Sequence, residues 1–238
     1  MEHFYQNIPG PQSSRLISLY THLVPKLPKK KLHIFEIGCW LGRSSAFLAA
    51  ELINQEYDFI LHCIDTWPTR LPTRYVRFNP NGLAADFVGH IADMDYRYVP
   101  IVDLDLDPSI MRFEDMDPAT EFRSNMDPVI SHIMIHKTES IKAAAFVPDG
   151  RADLICLDDD HSYEAVINNV ETWWPKLQSG GYLCGDDFSM LKWPGLVRAL
   201  RERFGQVTVI DLHGNLLNSD RLPAHLYSSA WFIQKTES

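Results

Sequence analysis

The sequence lacks the segments by which proteins enter or cross a membrane. No apolar run in its 238 residues approaches the roughly 18 residues that a membrane-spanning helix needs. The first residues, MEHFYQNIPGPQSSRL, contain neither the basic segment nor the apolar segment of a secretory signal. We therefore expect a cytoplasmic protein that does not insert into a membrane.

Positive charge is scarce as well. The 22 lysine and arginine residues are outnumbered by 31 aspartate and glutamate residues, which leaves a net charge of −9. A protein that binds nucleic acid needs a basic face to meet the phosphates. Nucleic acid is therefore not an expected partner.

Cysteine is rare, and two familiar cofactor motifs are missing. The four cysteines lie far apart within or beside apolar stretches, and no CxxC pair indicates a zinc site. The missing dinucleotide fingerprint GxGxxG argues against a nicotinamide cofactor. We expect reduced thiols in the core at Cys39, Cys63, Cys156 and Cys184.

Apolar runs alternate with segments of helical spacing along the chain, and 45% of the residues are hydrophobic. Continuous apolar strands between helices predict an α/β fold with a doubly wound, mostly parallel sheet covered on both faces. We expect one domain over residues 1–238. The stretch SGG at 179–181 should end the helix before it. The predicted strands are 32–37, 58–65, 132–137, 152–158, 182–186, 207–210 and 229–234, and the predicted helices are 43–53, 139–147, 163–177 and 195–204.

Residues 68–120 interrupt this alternation. They are rich in Pro, Asp and Arg, have weak periodicity and lie between the second and third predicted strands. A segment of this length inside one domain is either a functional lid or a disordered insert, and we expect a substrate lid. Its arginines and tyrosines could meet a polar substrate or lie on a solvated surface: Arg70, Arg74, Tyr75, Arg77, Tyr96 and Tyr98.

A glycine turn follows the first predicted strand in the stretch FEIGCWLGRSS, residues 35–45. In a doubly wound sheet such a turn lets a ligand approach the backbone, and the next helix offers its free N–H groups to a negative group. Gly38 and Gly42 suit those tasks. An ordinary strand-to-helix corner would contain similar residues, so the motif is only moderately specific.

Polar residues end the next two strands. Asp65, in CIDTW, is placed to bind ribose hydroxyls. Trp67 could stack on a purine, although plain packing is the favoured explanation for it. Ser140, in TES, could bind an adenine edge or cap the helix that follows it.

Two acidic clusters follow the fourth and fifth predicted strands. Asp158 ends one strand, and Asp186 and Asp187 end the next. Carboxylates that meet at one sheet edge repel each other unless a cation lies among them, and all-oxygen ligation favours Mg²⁺, with Ca²⁺ or Mn²⁺ as alternatives. We expect Asp159 and Asp160 to be solvated or structural.

His161 follows the first of these clusters at the start of a predicted helix. Most single histidines are structural. This one lies beside the expected metal and nucleotide pocket, and its ordinary pKa suits proton transfer near neutral pH. We therefore expect it to be a general base.

Together these motifs resemble a known family. ExGxxxG, CIDTW, TES, LDDDHSYEAV, WWPKLQSGGYLCGDDFS and WFIQK are similar to class I S-adenosylmethionine-dependent methyltransferases. The resemblance is strongest to the branch of the macrolide-sugar O-methyltransferases, and it covers roughly residues 30–67 and 130–234. It implies a Rossmann-like sheet of seven strands with the last one antiparallel. Residues 1–30 and 68–120 have no secure counterpart.

The resemblance also implies roles for single residues. His161 would be catalytic, and Asp158, Asp186 and Asp187 would bind Mg²⁺ or another divalent cation. Trp40 would lie near the reacting methyl group. The implied cofactor-binding set is Glu36, Gly38, Cys39, Trp40, Gly42, Ser44, Asp65, Thr66, Trp67, Ser140 and Asp158. Asp159 departs from the family pattern, which often has a small residue there.

The expected activity is metal-assisted O-methylation of a small-molecule hydroxyl of sugar or phenol type, and a homo-oligomer is compatible with the resemblance. A metal-independent methyltransferase would keep the acidic residues as structural groups. A nicotinamide-dependent oxidoreductase conflicts with the missing GxGxxG motif. A catalytically silent scaffold conflicts with the intact acidic residues beside His161.

Overall fold

The computed structural model describes residues 1–8, 14–67, 117–219 and 229–236, together with the backbone of three short strands at 75–78, 84–87 and 99–100. The strands are β1 Leu32–Ile37, β2 Phe59–Asp65, β3 Tyr75–Phe78, β4 Ala84–Phe87, β5 Val99–Pro100, β6 Ile133–Lys137, β7 Ala152–Leu157, β8 Leu177–Phe188, β9 Thr208–Ile210, β10 Leu216–Asn218 and β11 Ser229–Gln234. The helices are α1 Ser14–Leu23, α2 Arg43–Asn54, α3 Pro118–Asn125, α4 Ser140–Ala144, α5 Tyr163–Trp173 and α6 Pro194–Phe204. Short 3₁₀ turns span Tyr5–Asn7, Val24–Lys26, Asp127–His132 and Trp174–Lys176.

Eight strands form the main sheet in the order β10-β9-β11-β8-β7-β1-β2-β6. The pairs among β6, β2, β1, β7 and β8 are parallel, and β11 is antiparallel to both β8 and β9. The predicted α/β fold and the antiparallel last strand are therefore confirmed. Strand order reverses between β1 and β7, which are neighbours in the sheet.

The predicted number of seven strands is wrong, because β10 was missed. This strand has three residues and pairs with β9. A turn joins the two, in which Asp211 accepts the backbone N–H groups of His213 and Asn215, and Gly214 has φ +83°. So short a strand leaves no measurable alternation in the sequence.

The predicted role of the stretch SGG at 179–181 is also wrong. The helix ends at a 3₁₀ turn that contains Pro175, and β8 already begins at Leu177. The glycines lie inside this strand, where Gly180 and Gly181 exchange backbone hydrogen bonds with Lys235 just beyond β11. They are strand residues because β11 gives them a partner.

Helices cover both faces of the sheet, as predicted. On one face, α1, α2 and α3 pack against β1, β2 and the last strands. On the other face, α4, α5 and α6 cover β7, β8 and the neighbouring strands. All four cysteines are buried and form no disulfide, which confirms the expected core thiols.

Helix α1 was not predicted. Its buried side chains recur at helical spacing, at Leu16, Leu19, Tyr20 and Leu23. They pack α1 onto the sheet beside β8, β9 and β11. This helix brings Arg15 to the carboxyl edge of the sheet.

The predicted lid falls largely outside the described residues. Within it, β3 pairs with β4 and with β5 to form a small antiparallel sheet. The end of the segment overlaps α3. Among the helices that the structure describes, none is both long and apolar enough to cross a membrane.

Candidate functional site

The strand register brings the predicted site residues to one edge of the sheet. Gly38 and Asp158 directly follow β1 and β7, whose last residues pair with each other. Asp65 ends β2. Asp186 lies one residue beyond the β8 partner of the last residue of β7. Since parallel strands end together at such an edge, the point where strand order reverses becomes a crevice, as in other doubly wound sheets.

Gly38 allows β1 and β7 to come together at this point. Its φ is +85°, and a Cβ added there would lie 2.1 Å from the carbonyl oxygen of Asp158. A side chain is therefore excluded by both conformation and space. The turn needs glycine because of the Asp158 backbone itself.

Gly42 has a different role from the predicted one. Its φ is +90°, and an added Cβ would lie 2.7 Å from Cε of Met126 and 3.0 Å from the ring of Phe122. The space above Gly42 is filled by these two side chains from α3 and the turn after it. Gly42 is thus required by packing, and the predicted approach of a ligand to this glycine is not supported.

Asp65 organises the turn through two backbone amides. Trp40 donates its backbone N–H to Oδ2 of Asp65 at 2.9 Å, and Trp67 donates its backbone N–H to Oδ1 at 2.8 Å. Both tryptophans have positive φ, +48° and +39°, which bulky residues rarely adopt. Such strain persists only where surrounding contacts enforce it, and it is concentrated at functional sites.

Trp67 is fully buried, and it therefore has no face to offer a purine. Its ring packs against Phe122 with centroids 4.8 Å apart, and its indole N–H donates to the carbonyl oxygen of Trp40 at 2.6 Å. The predicted contact of Trp67 with the cofactor is corrected to packing. Trp40 is partly exposed at the edge, as expected for a residue that lines a pocket.

Glu36 lies beneath the turn and has no exposed surface. It accepts hydrogen bonds from Tyr20 at 3.1 Å and from the hydroxyl groups of Ser45 and Ser44. Burial raises its pKa, and these hydrogen bonds partly offset that effect. Glu36 therefore supports the turn from inside the protein. The prediction that it contacts the cofactor directly is corrected, because the side chain has no exposed surface.

The other turn residues divide in the same way. Cys39 is buried, and its thiol donates to the carbonyl oxygen of Glu36 at 3.2 Å. Ser44 is 7% exposed and faces inward. Thr66 is exposed at the rim. Of these three residues, only Thr66 is exposed and therefore accessible to a ligand.

Ser140 is neither a helix cap nor a free polar group. Glu139 is the N-cap of α4, and the Ser140 hydroxyl lies between two residues of α5. It donates to Oδ1 of Asn169 at 2.5 Å and accepts the indole N–H of Trp173 at 2.8 Å. The hydroxyl thus joins α4 to α5, so the predicted cap is wrong.

Asn169 extends this network to the acidic cluster. Its Nδ2 donates to both carboxylate oxygens of Asp159, at 3.1 and 3.2 Å. Asp159 lines a small pocket near His161 and Trp231, and desolvation of its carboxylate raises its pKa to about 6, although the bond from Asn169 opposes this effect. Asn169 was missed, although a polar residue on the buried face of α5 was the available signal.

Asp158, His161 and Asp187 converge at the edge. Nε2 of His161 lies 3.7 Å from Oδ1 of Asp158 and 3.7 Å from Oδ2 of Asp187. This nitrogen is buried and has no hydrogen-bond partner among the described residues. One ligand atom from each of the three side chains lies within 4.8 Å of the others. Burial and the carboxylates of Asp186 and Asp187 raise the pKa of Asp158.

The ring of His161 is held by Trp193, with centroids 4.8 Å apart and planes 27° from parallel. Its neighbour Asp160 accepts the backbone N–H of Ser162 at 2.8 Å. Ser162 in turn caps α5. The structural role expected for Asp160 agrees with this turn.

Arg15 was not predicted as a site residue, yet it contacts two of the predicted metal ligands. Its Nε donates to Oδ1 of Asp186 at 2.6 Å, and its Nη2 donates to Oδ2 at 2.9 Å. The same Nη2 reaches Oδ1 of Asp187 at 3.0 Å. Burial disfavours the charged guanidinium, but its bonds to Asp186 and the nearby carboxylates outweigh burial and raise the pKa of Arg15. Asp186 is thus paired with a cation that the chain itself supplies.

The model of a methyltransferase-domain family matches residues 35–188, about two thirds of the chain. No curated protein sequence matches the chain. The match spans the turn after β1, the end of β2 and both acidic clusters.

Solved structures share the fold at low sequence identity. A SAM-dependent O-methyltransferase from Thermotoga maritima has a TM-score of 0.53 at 14% identity, over 97% of this chain and 68% of that one. The O-methyltransferase NovP has a TM-score of 0.53 at 16% identity, over 94% and 80%. A precorrin 8w decarboxylase from Methanobacterium thermoautotrophicum has a TM-score of 0.53 at 13% identity, over 95% and 93%. These likenesses establish the fold, and the site must indicate the reaction.

Proposed function

The chain belongs to the methyltransferase-domain family and is an S-adenosylmethionine-dependent methyltransferase, and on that premise we propose that it methylates a hydroxyl oxygen of a small molecule with the help of a divalent cation. A sugar or a phenol is the proposed acceptor class, in keeping with the sequence resemblance to the macrolide-sugar branch. One observation carries the proposal: Asp158, His161 and Asp187 converge beside the turn after β1.

The cofactor would lie across the carboxyl ends of β1 and β2. The residues there fit it for two reasons. Gly38 has no side chain to fill the space above the turn, and α2 begins at Arg43 without a side-chain cap, which leaves its first N–H groups available to a negative group of the cofactor. Asp65 would bind the ribose hydroxyls with the lone pairs that its two amide hydrogen bonds leave unused. Trp40 would line the pocket beside the methyl group.

The acidic edge fits a divalent cation. Asp158 and Asp187 each point a carboxylate oxygen toward the buried Nε2 of His161, which lacks a hydrogen-bond partner in the described part of the chain. Two carboxylates this close repel each other, and a cation would relieve that repulsion. When bound, the cation would lower the pKa of a hydroxyl at the same place.

Methyl transfer from sulfur to oxygen is an in-line displacement, and the protein's main task is alignment. The crevice between β1 and β7 would hold the two reactants side by side. His161, held by Trp193, would accept the proton of the acceptor hydroxyl, since an alcohol is a poor nucleophile until that proton leaves.

Transfer of labelled methyl groups tests the proposal. The purified protein is incubated with methyl-labelled S-adenosylmethionine and a panel of sugars and phenols, with Mg²⁺ or with excess EDTA. We expect label on an acceptor oxygen, a loss of at least tenfold in EDTA, and a loss of about 100-fold in His161→Ala. His213→Ala, on an exposed turn, is the matched control. Label on nitrogen or carbon, or an unchanged rate in His161→Ala, would contradict the assignment.

Arg15 favours a second candidate, a metal-independent methyltransferase. Its guanidinium already neutralises part of the charge of Asp186 and Asp187. In that case the two carboxylates would have a structural role, and EDTA would leave the rate unchanged while His161→Ala still lowered it.

A further inference from the structure

The predicted set of metal ligands contains three carboxylates, and Arg15 is bonded to both oxygens of one of them, Asp186. We infer that Arg15 is a positioning residue that holds Asp186 outside the cation site and thereby keeps cation binding weak and reversible. The inference rests on the proposed use of a divalent cation at this edge, and it concerns a residue outside the matched family segment.

Three hydrogen bonds within the protein hold both carboxylate oxygens of Asp186. Two nitrogens of Arg15 contact its two carboxylate oxygens, at 2.6 and 2.9 Å, in the forked geometry that suits guanidinium. The backbone N–H of Asp187 adds a third bond to Oδ1 at 2.7 Å. The side chain is only 7% exposed. Asp186 cannot turn toward a cation without breaking the fork.

Asp187 differs because its two oxygens point to different partners. Oδ1 accepts from Arg15 at 3.0 Å, whereas Oδ2 lies 3.7 Å from Nε2 of His161. The backbone of Asp187 has φ +59°, which sets this orientation. Asp187 can therefore face a cation with one oxygen while it stays bonded to Arg15 with the other.

Helix α1 holds the guanidinium in place. Leu16 and Leu19 are buried against the sheet directly after Arg15, and Tyr20 bonds to Glu36 beneath the turn. The Arg15 side chain is 23% exposed. Arg15 is thus held at the edge of the sheet by the packing of α1, and a bound cation has to share the carboxylates with it.

The charge balance predicts what its removal would do. With Arg15 present, a divalent cation meets Asp158 together with Asp186 and Asp187, whose charge the guanidinium partly neutralises. Without Arg15, Asp186 is a buried charge that lacks a partner, which is strongly unfavourable. A cation would then gain a third carboxylate ligand and relieve that penalty, so removal of Arg15 should tighten binding.

The affinities of Mn²⁺ for the four proteins of a double-mutant cycle test this inference. Dissociation constants are measured by calorimetry for the wild type, Arg15→Met, Asp186→Asn and the double variant, with Arg15→Lys as the conservative control. Changes in residues that orient metal ligands typically alter affinity by about 10- to 100-fold. We expect Arg15→Met to bind at least about tenfold more tightly, and Asp186→Asn alone to change affinity by less than about threefold. The double variant should lose the gain, and Arg15→Lys, which keeps the charge but not the fork, should bind with an affinity between those of the wild type and Arg15→Met.

The cycle has clear contrary results. A loss of about tenfold or more in Asp186→Asn alone would show that Asp186 is already a ligand and would overturn the inference. Unchanged or weaker binding in Arg15→Met would also overturn it, as would the absence of Mn²⁺ binding in every protein. Affinity for S-adenosylhomocysteine, measured on the same samples, reports separately on folding and on the proposed function, because Arg15 does not contact the cofactor turn.

Discussion

Replacement of Gly38 by alanine tests the close approach of β1 and β7 on which the site depends. The added Cβ would lie 2.1 Å from the carbonyl oxygen of Asp158 and 2.8 Å from the nitrogen of Asp159. Carbon and carbonyl oxygen ordinarily approach to about 3.3 Å, so either strand end must move by roughly 1 Å. Gly150→Ala is a matched control, since Gly150 has φ +67° and no atom within 4 Å of an added Cβ.

The expected magnitudes separate the two variants. Positive φ costs a non-glycine residue about 1–2 kcal/mol, and Gly150→Ala should lose about that much. Overpacking adds about 1–3 kcal/mol, so Gly38→Ala should lose about 2–5 kcal/mol of unfolding free energy. This is a large part of the roughly 5–15 kcal/mol that stabilises a typical domain.

Urea unfolding followed by circular dichroism measures both losses, and calorimetry with S-adenosylhomocysteine measures the effect on the site. Gly38→Ala should also weaken binding by at least tenfold. The movement that relieves the clash of the new Cβ displaces both the turn and Asp158. Gly150→Ala should leave binding unchanged. Equal losses of stability in the two variants, or unchanged binding in Gly38→Ala, would refute the reasoning.

Two further substitutions test the strand surface and the turn. Burial, and after it the charges of His136, His33 and Arg151, lowers the pKa of His62 to about 4. The folded state therefore favours the neutral ring. The contribution of this ring to the free energy of unfolding is fully present above about pH 6.5 and is lost as the pH falls from there toward 4. Because the ring is partly exposed, we expect this loss to be about 1–2 kcal/mol. His62→Phe should abolish it in urea titrations at pH 7.5 and 4.5, and parallel losses in both proteins would contradict the assignment. Asp65→Asn would set an amide N–H group against one of the two backbone N–H groups that Asp65 accepts, and should cost about 1–3 kcal/mol and weaken S-adenosylhomocysteine binding at least tenfold. The exposed Asp127→Asn is its control, and equal affinities in the two variants would remove Asp65 from the cofactor site.

The parallel strands were predictable because they are buried on both faces. LHIFEI at 32–37 has the same bounds in the structure as in the prediction. Strand β10 was missed because three half-exposed residues carry no pattern. The glycines of β8 were misread because their partner, Lys235, lies 55 residues along the chain, where local propensity has no information.

The position of the site was predictable, but the direction of its side chains was not. Strand ends and acidic residues placed Asp65, Asp158 and Asp187 at one edge. Whether a side chain faces a pocket depends on packing around it, and Trp67 and Glu36 are both buried. The same limit explains why Ser140 was expected to bind an adenine edge or to cap α4, and why its link to α5 was missed.

Arg15 shows this limit most clearly. It lies 171 positions from Asp186 in the sequence, on a helix whose only visible pattern is apolar spacing. No motif connects a single arginine near the N-terminus with a carboxylate at the end of β8. Only the docking of α1 on the sheet brings the two charges together.

A crystal structure with S-adenosylhomocysteine and Mn²⁺ tests the central claim most directly. The account predicts the cofactor product across the ends of β1 and β2, and an anomalous Mn²⁺ peak between Asp158 and Asp187 with the fork between Arg15 and Asp186 intact. A product molecule bound elsewhere, or a protein saturated with Mn²⁺ that shows no peak between Asp158 and Asp187, would contradict it.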